Sequence, residues 1–529
     1  MAVREPGEPG VLRPEPAGAA TPAVTPAAAT AQPATTAAGA GRSGAAAGGS
    51  ARSGRVAGPG EPGYEAATAV FALGAVPRPA AAAVVRTVEE VREAVGHARR
   101  AGLTVRVHTT GHWAEAARPV RGGLLLRTEP AGPVEIDPER RVARVPAGTR
   151  WGAVVKAAAA HGLSVAHGSS PTVGVVGYLL GGGLSFYGRH TGLAANGVRA
   201  VEIVTADGEL RRASGPGAVF GADTGAGGDE ELLWALRGGG GGFGVVTTVE
   251  VALFPVARVV TGAACWPAGH APELLRAWRE WTLGAPREAT TSVRVLNLPD
   301  LPDVPPMLSA GPVLCVDGAV LAGTDADVAA AEARAGELLD TLRGIAPPVL
   351  DTWQTTEPAG LLDTHMDPSD PVEVIGDHLL LDELGEAGLD ALLEVIGAGS
   401  RSPLIAAGLR QLGGAYADPD PTGGALNHLT ARYGYSGGGV PGLSGTREDI
   451  LARLPVVRSA LTPWDAGTTA PTFVERFDQP QGHLDAATVA AVDAVRARVD
   501  PDGLFRGDVM RGATRRYPDA AEAAPEPRS

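Results

Sequence analysis

The chain has 529 residues, 44% of them hydrophobic, and a formal net charge of −14, so it has apolar material for cores in roughly two to four domains. That acidity leaves no basic stripe for a phosphate backbone and argues against nucleic acid as a partner. A small-molecule substrate is expected instead, and the chain's two cysteines, Cys265 and Cys315, which can build neither a disulfide framework nor a four-thiolate metal site, are expected as buried hydrophobes.

Residues 1–58 are Ala, Pro, Gly, Thr and Ser with almost no large apolar side chain, which predicts a disordered tail. The segment lacks the strongly apolar run of a secretory signal, and no stretch reaches the roughly 18 apolar residues of a membrane span, so a cytoplasmic location without membrane contact is expected. Lys156 is the sole lysine, and the arginine and alanine bias points to a high-GC bacterial source.

From Tyr64 onward strand and helix signals alternate. Thr87 with Glu90 three residues on forms a capping box for a helix that buries Val88, Val91 and Val95 and stops at Gly102. Val105 to Val107 read as a buried strand, followed by a polar turn, Thr109-Thr110-Gly111, that ends at His112. A second helix is expected from Trp151 to His161, stopping at Gly162. The stretch from Gly168 to Leu210 is too glycine-dense for a packed core and too apolar for a solvent loop, so its backbone is expected to touch a ligand, with a dinucleotide the natural candidate. VRAVEIVTADGEL reads as two strands joined through Asp207-Gly208, and DEELLWALRGGGGGFGVVTTVEVALFPV as helix, glycine loop and long strand. Beyond Val256 come an amphipathic helix in LDELGEAGLDALLEVIGAGS, a strand in ALNHLTARYGYSG and a final helix in DAATVAAVDAVRARV. The five-glycine run Gly238 to Gly242 has no following Lys-Ser/Thr, so a P-loop is excluded, and no GxGxxG opens a predicted βαβ helix.

Four blocks in order, VHTTGHWAEAA, SSPTVGVVGYLLGGGLSFYGRHTGLAANGVRAVEIVTADGEL, LLWALRGGGGGFGVVT and VDPDGLFR, resemble the berberine-bridge-enzyme-like FAD-linked oxidoreductases, bacterial type, whose flavin domain is of the vanillyl-alcohol oxidase (PCMH) kind. The likeness runs from about Tyr64 to Arg506 and is dense from Arg78 to Val256; LRQLGGAYA and LNHLTARYGY carry it more weakly beyond. It implies an α+β fold: a PCMH-type FAD-binding domain of two subdomains over 59–256 and a mixed sheet-and-helix substrate domain over 257–460. A C-terminal segment, 461–511, would return to the flavin domain before a disordered tail at 512–529.

The same resemblance implies the site. His108, Thr109, Thr110 and Gly111 would carry the flavin pyrophosphate, and His112 would be bonded to the 8α-methyl carbon of the isoalloxazine. Many relatives add a cysteine where this chain has Ser170, so one covalent link is expected, not two. Gly168, Pro171, Thr172, Val173, Gly174 and Gly177 match the loop beside the ring. Gly181, Gly182 and Gly183 match a turn of close backbone approach, and Gly244 and Val246 a bordering strand. Asn196 stands where relatives commonly have Asp.

A Tyr-x-Asn seen in many relatives would fall near Phe473 and Glu475, so the phenol is absent. Tyr433 and Tyr435, two apart on the presumed strand, and Glu475 are the candidate bases, with the tyrosines favoured, and His428 is a further polar candidate. The implied activity is oxidation of an alcohol, amine or activated C–H group of a small molecule by hydride transfer to flavin N5. Dioxygen is the expected acceptor, because Val173 leaves room beside the ring, and the expected assembly is a monomer or homodimer. A dehydrogenase using another acceptor and a non-catalytic flavin-binding protein are the alternatives.

Overall fold

The computed structural model describes residues 54–505 apart from 121, 130–131, 221–227 and 303. The predicted tail at 1–58 lies outside these up to residue 53, but Gly54–Gly58 are ordered backbone. Gly54 N–H donates to Val84 O, and Ala57 and Ala82 exchange both backbone hydrogen bonds, so the folded chain begins earlier than composition suggested. The tail expected at 512–529 also lies outside the described residues.

The described residues form eighteen strands, numbered in chain order. In the first part they are β1 (Ala81–Val85), β2 (Val105–His108), β3 (Leu124–Thr128), β4 (Glu135–Asp137), β5 (Val142–Pro146), β6 (Leu163–Ser164), β7 (Val198–Val204), β8 (Leu210–Ser214), β9 (Val245–Ala252) and β10 (Phe254–Pro255). In the second they are β11 (Arg258–Pro267), β12 (Ala289–Leu296), β13 (Val313–Ala322), β14 (Leu350–Asp351), β15 (Gln354–Thr356), β16 (Ile375–Leu381), β17 (Ala406–Gln411) and β18 (Tyr433–Gly439). The architecture is α+β, as expected.

The first sheet is parallel, in the order β1-β3-β2. Parallel strands need crossover connections, and the helix Val88–Ala101 carries the chain from β1 to β2, leaving room for β3 between them. Thr87 caps that helix by accepting the Glu90 N–H, and Gly102 ends it at φ +66°. The capping box is displaced by one residue, because the Glu90 carboxylate accepts the Arg86 N–H at 2.6 Å. Val91, Ala94, Val95 and Ala98 pack on the sheet together with Phe505, which returns from the C-terminus. Val105 N–H donates to Leu504 O and fixes that return.

The second sheet is antiparallel, in the order β4-β5-β9-β7-β8, with β7 and β8 joined through the Asp207-Gly208 turn. Its core is shared by the helices Trp151–Ala159, Val175–Leu180, Glu230–Leu236 and Ala486–Val499. The Trp151 helix is one turn-end shorter than predicted, closing at Ala159 before Gly162 takes φ +67°.

From Arg258 the chain builds a larger antiparallel sheet, β14-β11-β13-β12-β17-β18-β16, with β15 also on β11. One face is covered by the helices Ala271–Gly284, Val328–Ile345, Gly385–Ile396 and Arg447–Leu461, around a core that holds Trp266, Trp278, Leu409, Tyr433 and Tyr435. Side chains alternate across a strand, so Arg410, Ser292 and His378 point away from that helical layer. The predicted strand in ALNHLTARYGYSG is confined to its second half, starting at Tyr433. Cys265 and Cys315 are cross-strand neighbours, buried and free, on β11 and β13. No helix among the described residues is long and apolar enough to cross a membrane.

Candidate FAD and substrate site

A cavity of about 400 Å³ lies where the first two sheets meet the face of the large sheet that carries no helices. One wall is the loop after β2. His108 donates from Nε2 to Ala67 O at 2.7 Å, and burial lowers its pKa to about 4. Thr109 Oγ1 lies 2.8 Å from Thr128 Oγ1. Gly111 takes φ +72°, and a Cβ there would sit 2.5 Å from Val70, so no other residue fits this bend. The N–H groups of Thr110, Gly111 and His112, all cavity residues, donate to no acceptor among the described residues. Three unpaired amides on one glycine-containing bend form a concavity for an anion such as a pyrophosphate.

His112 is held on three sides. Its ring stacks on Phe71 at 3.8 Å, Nδ1 lies 2.9 Å from Thr110 Oγ1, and Nε2 lies 3.1 Å from Thr172 Oγ1. Burial, helped by Arg150, lowers its pKa to about 4, so the ring is neutral at physiological pH and keeps a nucleophilic nitrogen. Ser170 Oγ lies 2.8 Å from Thr172 Oγ1, so the serine belongs to the same hydrogen-bonded chain.

Gly168, Ser170, Val173, Gly174 and Gly177 form a second wall, with Gly181, Gly244 and Val246 beside it. Gly177 sits inside the helix Val175–Leu180, exposed, and a Cβ there would meet nothing within 4 Å. Its missing side chain is space in the cavity. The Tyr178 hydroxyl and Thr472 Oγ1, both from residues of the lining, are buried without a hydrogen-bond partner. Orphaned donors around an open cradle fit a polar, extended cofactor.

Several expected site residues are placed elsewhere. Gly182 and Gly183 take φ +92° and +77°, but Cβ atoms there would press on Leu426 and on Tyr178 and Ala194, so packing and turn geometry, not cofactor approach, require glycine. Asn196 donates from Nδ2 to Asn427 O at 2.8 Å and clips two loops together outside the cavity. Pro171 packs on Gly152, and Thr172 reaches the site only through His112. His428 lies 2.6 Å from its neighbour Asn427.

The preference for the two tyrosines is overturned. Tyr433 and Tyr435 do face the same side of β18, but that side is the helical core: they are 2% and 1% exposed, and Tyr433 bonds Thr282 at 2.9 Å. Neither lines the cavity, and burial raises both phenol pKa values.

Glu475 does line the cavity. Burial, then the nearby carboxylates of Glu115 and Asp377, raise its pKa to about 7. Its segment is tied to the His112 loop, since Trp113 Nε1 donates to Val474 O at 3.0 Å and Phe477 N–H donates to Glu115 O at 2.8 Å. It is also tied to the large sheet: His378 donates from Nδ1 to Tyr435 O and accepts the Ala470 N–H at 3.2 Å, while its ring meets Phe473 edge-on.

Sequence reasoning missed Arg410, Asp367, Glu115 and Ser169. Asp367 Oδ2 accepts the Ser169 hydroxyl at 2.5 Å and, like Arg410, lines the cavity. LRQLGGAYA contained Arg410, but only its place in the large sheet turns that side chain toward the site.

Residues 79–214 match the model of the FAD binding domain family. Over 199 residues the chain is 33% identical to the FAD-dependent monooxygenase prx3 of Penicillium roqueforti, covering 37% of each protein. Over 211 residues it is 32% identical to the (R)-6-hydroxynicotine oxidase of Paenarthrobacter nicotinovorans, covering 39% of this chain and 43% of that one. The chain thus matches less than half the length of these curated relatives. The fold is similar to that of Physcomitrella patens BBE-like 1, with a TM-score of 0.69 and 20% identity over 85% of this chain and 95% of that one. Residues 79–214 are an FAD-binding domain, the fold is berberine-bridge-enzyme-like, and FAD is the cofactor.

Proposed function

We propose that the chain is an FAD-dependent oxidoreductase that oxidises an alcohol, amine or activated C–H group of a small organic molecule, with Glu475 as the proton acceptor and dioxygen as the electron acceptor. One observation carries the reading: a carboxyl group with a pKa of about 7 lines the same cavity as the amide bend and His112. When bound, FAD supplies a hydride acceptor. The protein contributes the rest. The amides of Thr110, Gly111 and His112 hold the diphosphate, and His112, neutral and stacked on Phe71, is the attachment point for a single covalent bond, because Ser170 is no substitute for a thiolate. Glu475, partly ionised near neutrality, takes a proton from the substrate as the hydride leaves. Val173, at the cavity wall, leaves room for dioxygen. The arginine- and alanine-rich, almost lysine-free composition supports a high-GC bacterial source.

The test is anaerobic mixing of the yellow protein with a panel of alcohols, amines and sugars, followed by admission of air. Bleaching and then peroxide in equal amount is the expected result. Bleaching without peroxide would move the acceptor from oxygen to a quinone, dye or protein; no bleaching with any compound would favour a flavin-binding protein without catalysis.

A further inference from the structure

Arg410 stands on β17, 6% exposed, and lines the cavity. A guanidinium taken out of water is costly unless a counter-charge and hydrogen bonds replace the lost hydration. Here the replacement is incomplete. Nε reaches Ser292 Oγ at 3.4 Å, and the two terminal nitrogens donate to no described group. No carboxylate among the described residues lies within 4.0 Å of them. The neighbouring acids are engaged elsewhere: Asp317 pairs with Arg294 at 2.5 Å, and Asp367, which feels the Arg410 charge only from beyond ion-pair distance, accepts from Ser169. The guanidinium is nevertheless held in place, over the ring of Phe186 at 4.4 Å and that of Phe473 at 5.3 Å. Two aromatic faces fix a cation while leaving its hydrogen-bonding edge free, the arrangement suited to bidentate capture of a planar anion.

We propose that Arg410 anchors the substrate and that the substrate carries a carboxylate. The inference rests on the reading of this cavity as the substrate site. Phe473, under the guanidinium, is two residues before Glu475, so a carboxylate gripped at Arg410 places the remainder of a small molecule alongside the proposed base. The amide bend lies on the loop after β2, inside the segment that matches the FAD-binding domain, whereas Arg410 stands on β17 of the large sheet outside that segment, which assigns Arg410 to the substrate and not to the diphosphate.

The experiment is calorimetric titration of the full-length, flavin-loaded protein with benzoate and phenylacetate, and with benzamide and phenylacetamide as neutral isosteres. Binding of each acid at least tenfold tighter than its amide is expected, with Arg410→Gln erasing that preference and Arg410→Lys, which keeps the charge but loses the fork, retaining part of it. Flavin content and melting temperature of the variants should match the parent. Acids binding no tighter than amides would overturn the proposal without any variant. So would a preference that survives in Arg410→Gln, or loss of flavin from a folded Arg410→Gln, which would assign the arginine to the cofactor. Turnover is not read, so the two readings fail separately: tight acid binding with a flavin that never bleaches removes only the oxidoreductase reading, and bleaching by neutral alcohols without acid preference removes only this one.

Discussion

At the scale of single residues, the chemistry turns on which side chains face one cavity. Glu475 does and the strand tyrosines do not, so Glu475→Gln should slow flavin reduction by about 100-fold, the usual worth of a general base, while Tyr433→Phe leaves the rate near the parent's. The sign of the pH dependence follows from the raised pKa: the base works ionised, so the reduction rate should climb as pH passes through about 7, and the climb should vanish in Glu475→Gln. A parent rate that is flat from pH 6 to 8 would remove Glu475 from the role. His112 carries the second prediction. Acid-precipitated parent protein should stay yellow and His112→Ala should release all its flavin; colour retained by the variant would place the bond on another residue.

At the scale of elements, the glycine-rich centre divides into two kinds of position. Gly177 presents an empty helix face to the cavity, whereas Gly182 is a left-handed turn residue 3.0 Å, through its would-be Cβ, from Leu426. Gly177→Val should therefore fold with a melting temperature near that of the flavin-free parent yet fail to load FAD. Gly182→Val should lose stability, about 1–3 kcal/mol from the forced positive φ alone, whether or not flavin is present. Denaturation of flavin-free and flavin-loaded protein separates them; the opposite pattern would mean that the roles are exchanged.

At the scale of the whole molecule, the described residues bury many imidazoles in the neutral form. Burial lowers His108, His112, His167, His365 and His483 to about 4 and His378 to about 3. Each is a group that the unfolded chain protonates first, so its stability contribution is present above the ordinary value near 6.5 and is lost as pH falls toward the folded one. Glu115 and Glu475, raised to about 7 chiefly by burial, act oppositely and favour the folded state on acidification between about 7 and 4.5. Six histidines outweigh two glutamates, so the melting temperature should fall from pH 7 to pH 5. An equal or higher value at pH 5 would show that these histidines are hydrated or paired.

What could be read from the chain alone was local. The cap at Thr87, the stop at Gly102, the Asp207-Gly208 turn and the loop ending at His112 depend on φ preferences and on hydrogen bonds spanning a few residues, and they stand in the structure where the sequence placed them. The FAD-binding blocks were legible for the same reason, since a backbone cradle is written in consecutive residues. The substrate side was not. Tyr433 and Tyr435 share a face by strand periodicity, but periodicity does not say whether that face meets helices or a cavity. That is decided by the layer Ala271–Gly284, Gly385–Ile396 and Arg447–Leu461 packing on one side of the sheet. Arg410 and Glu475 are 65 positions apart in sequence and converge only because β17 and the Pro471–Glu475 segment meet over one opening, brought together by long-range packing that leaves no local signature.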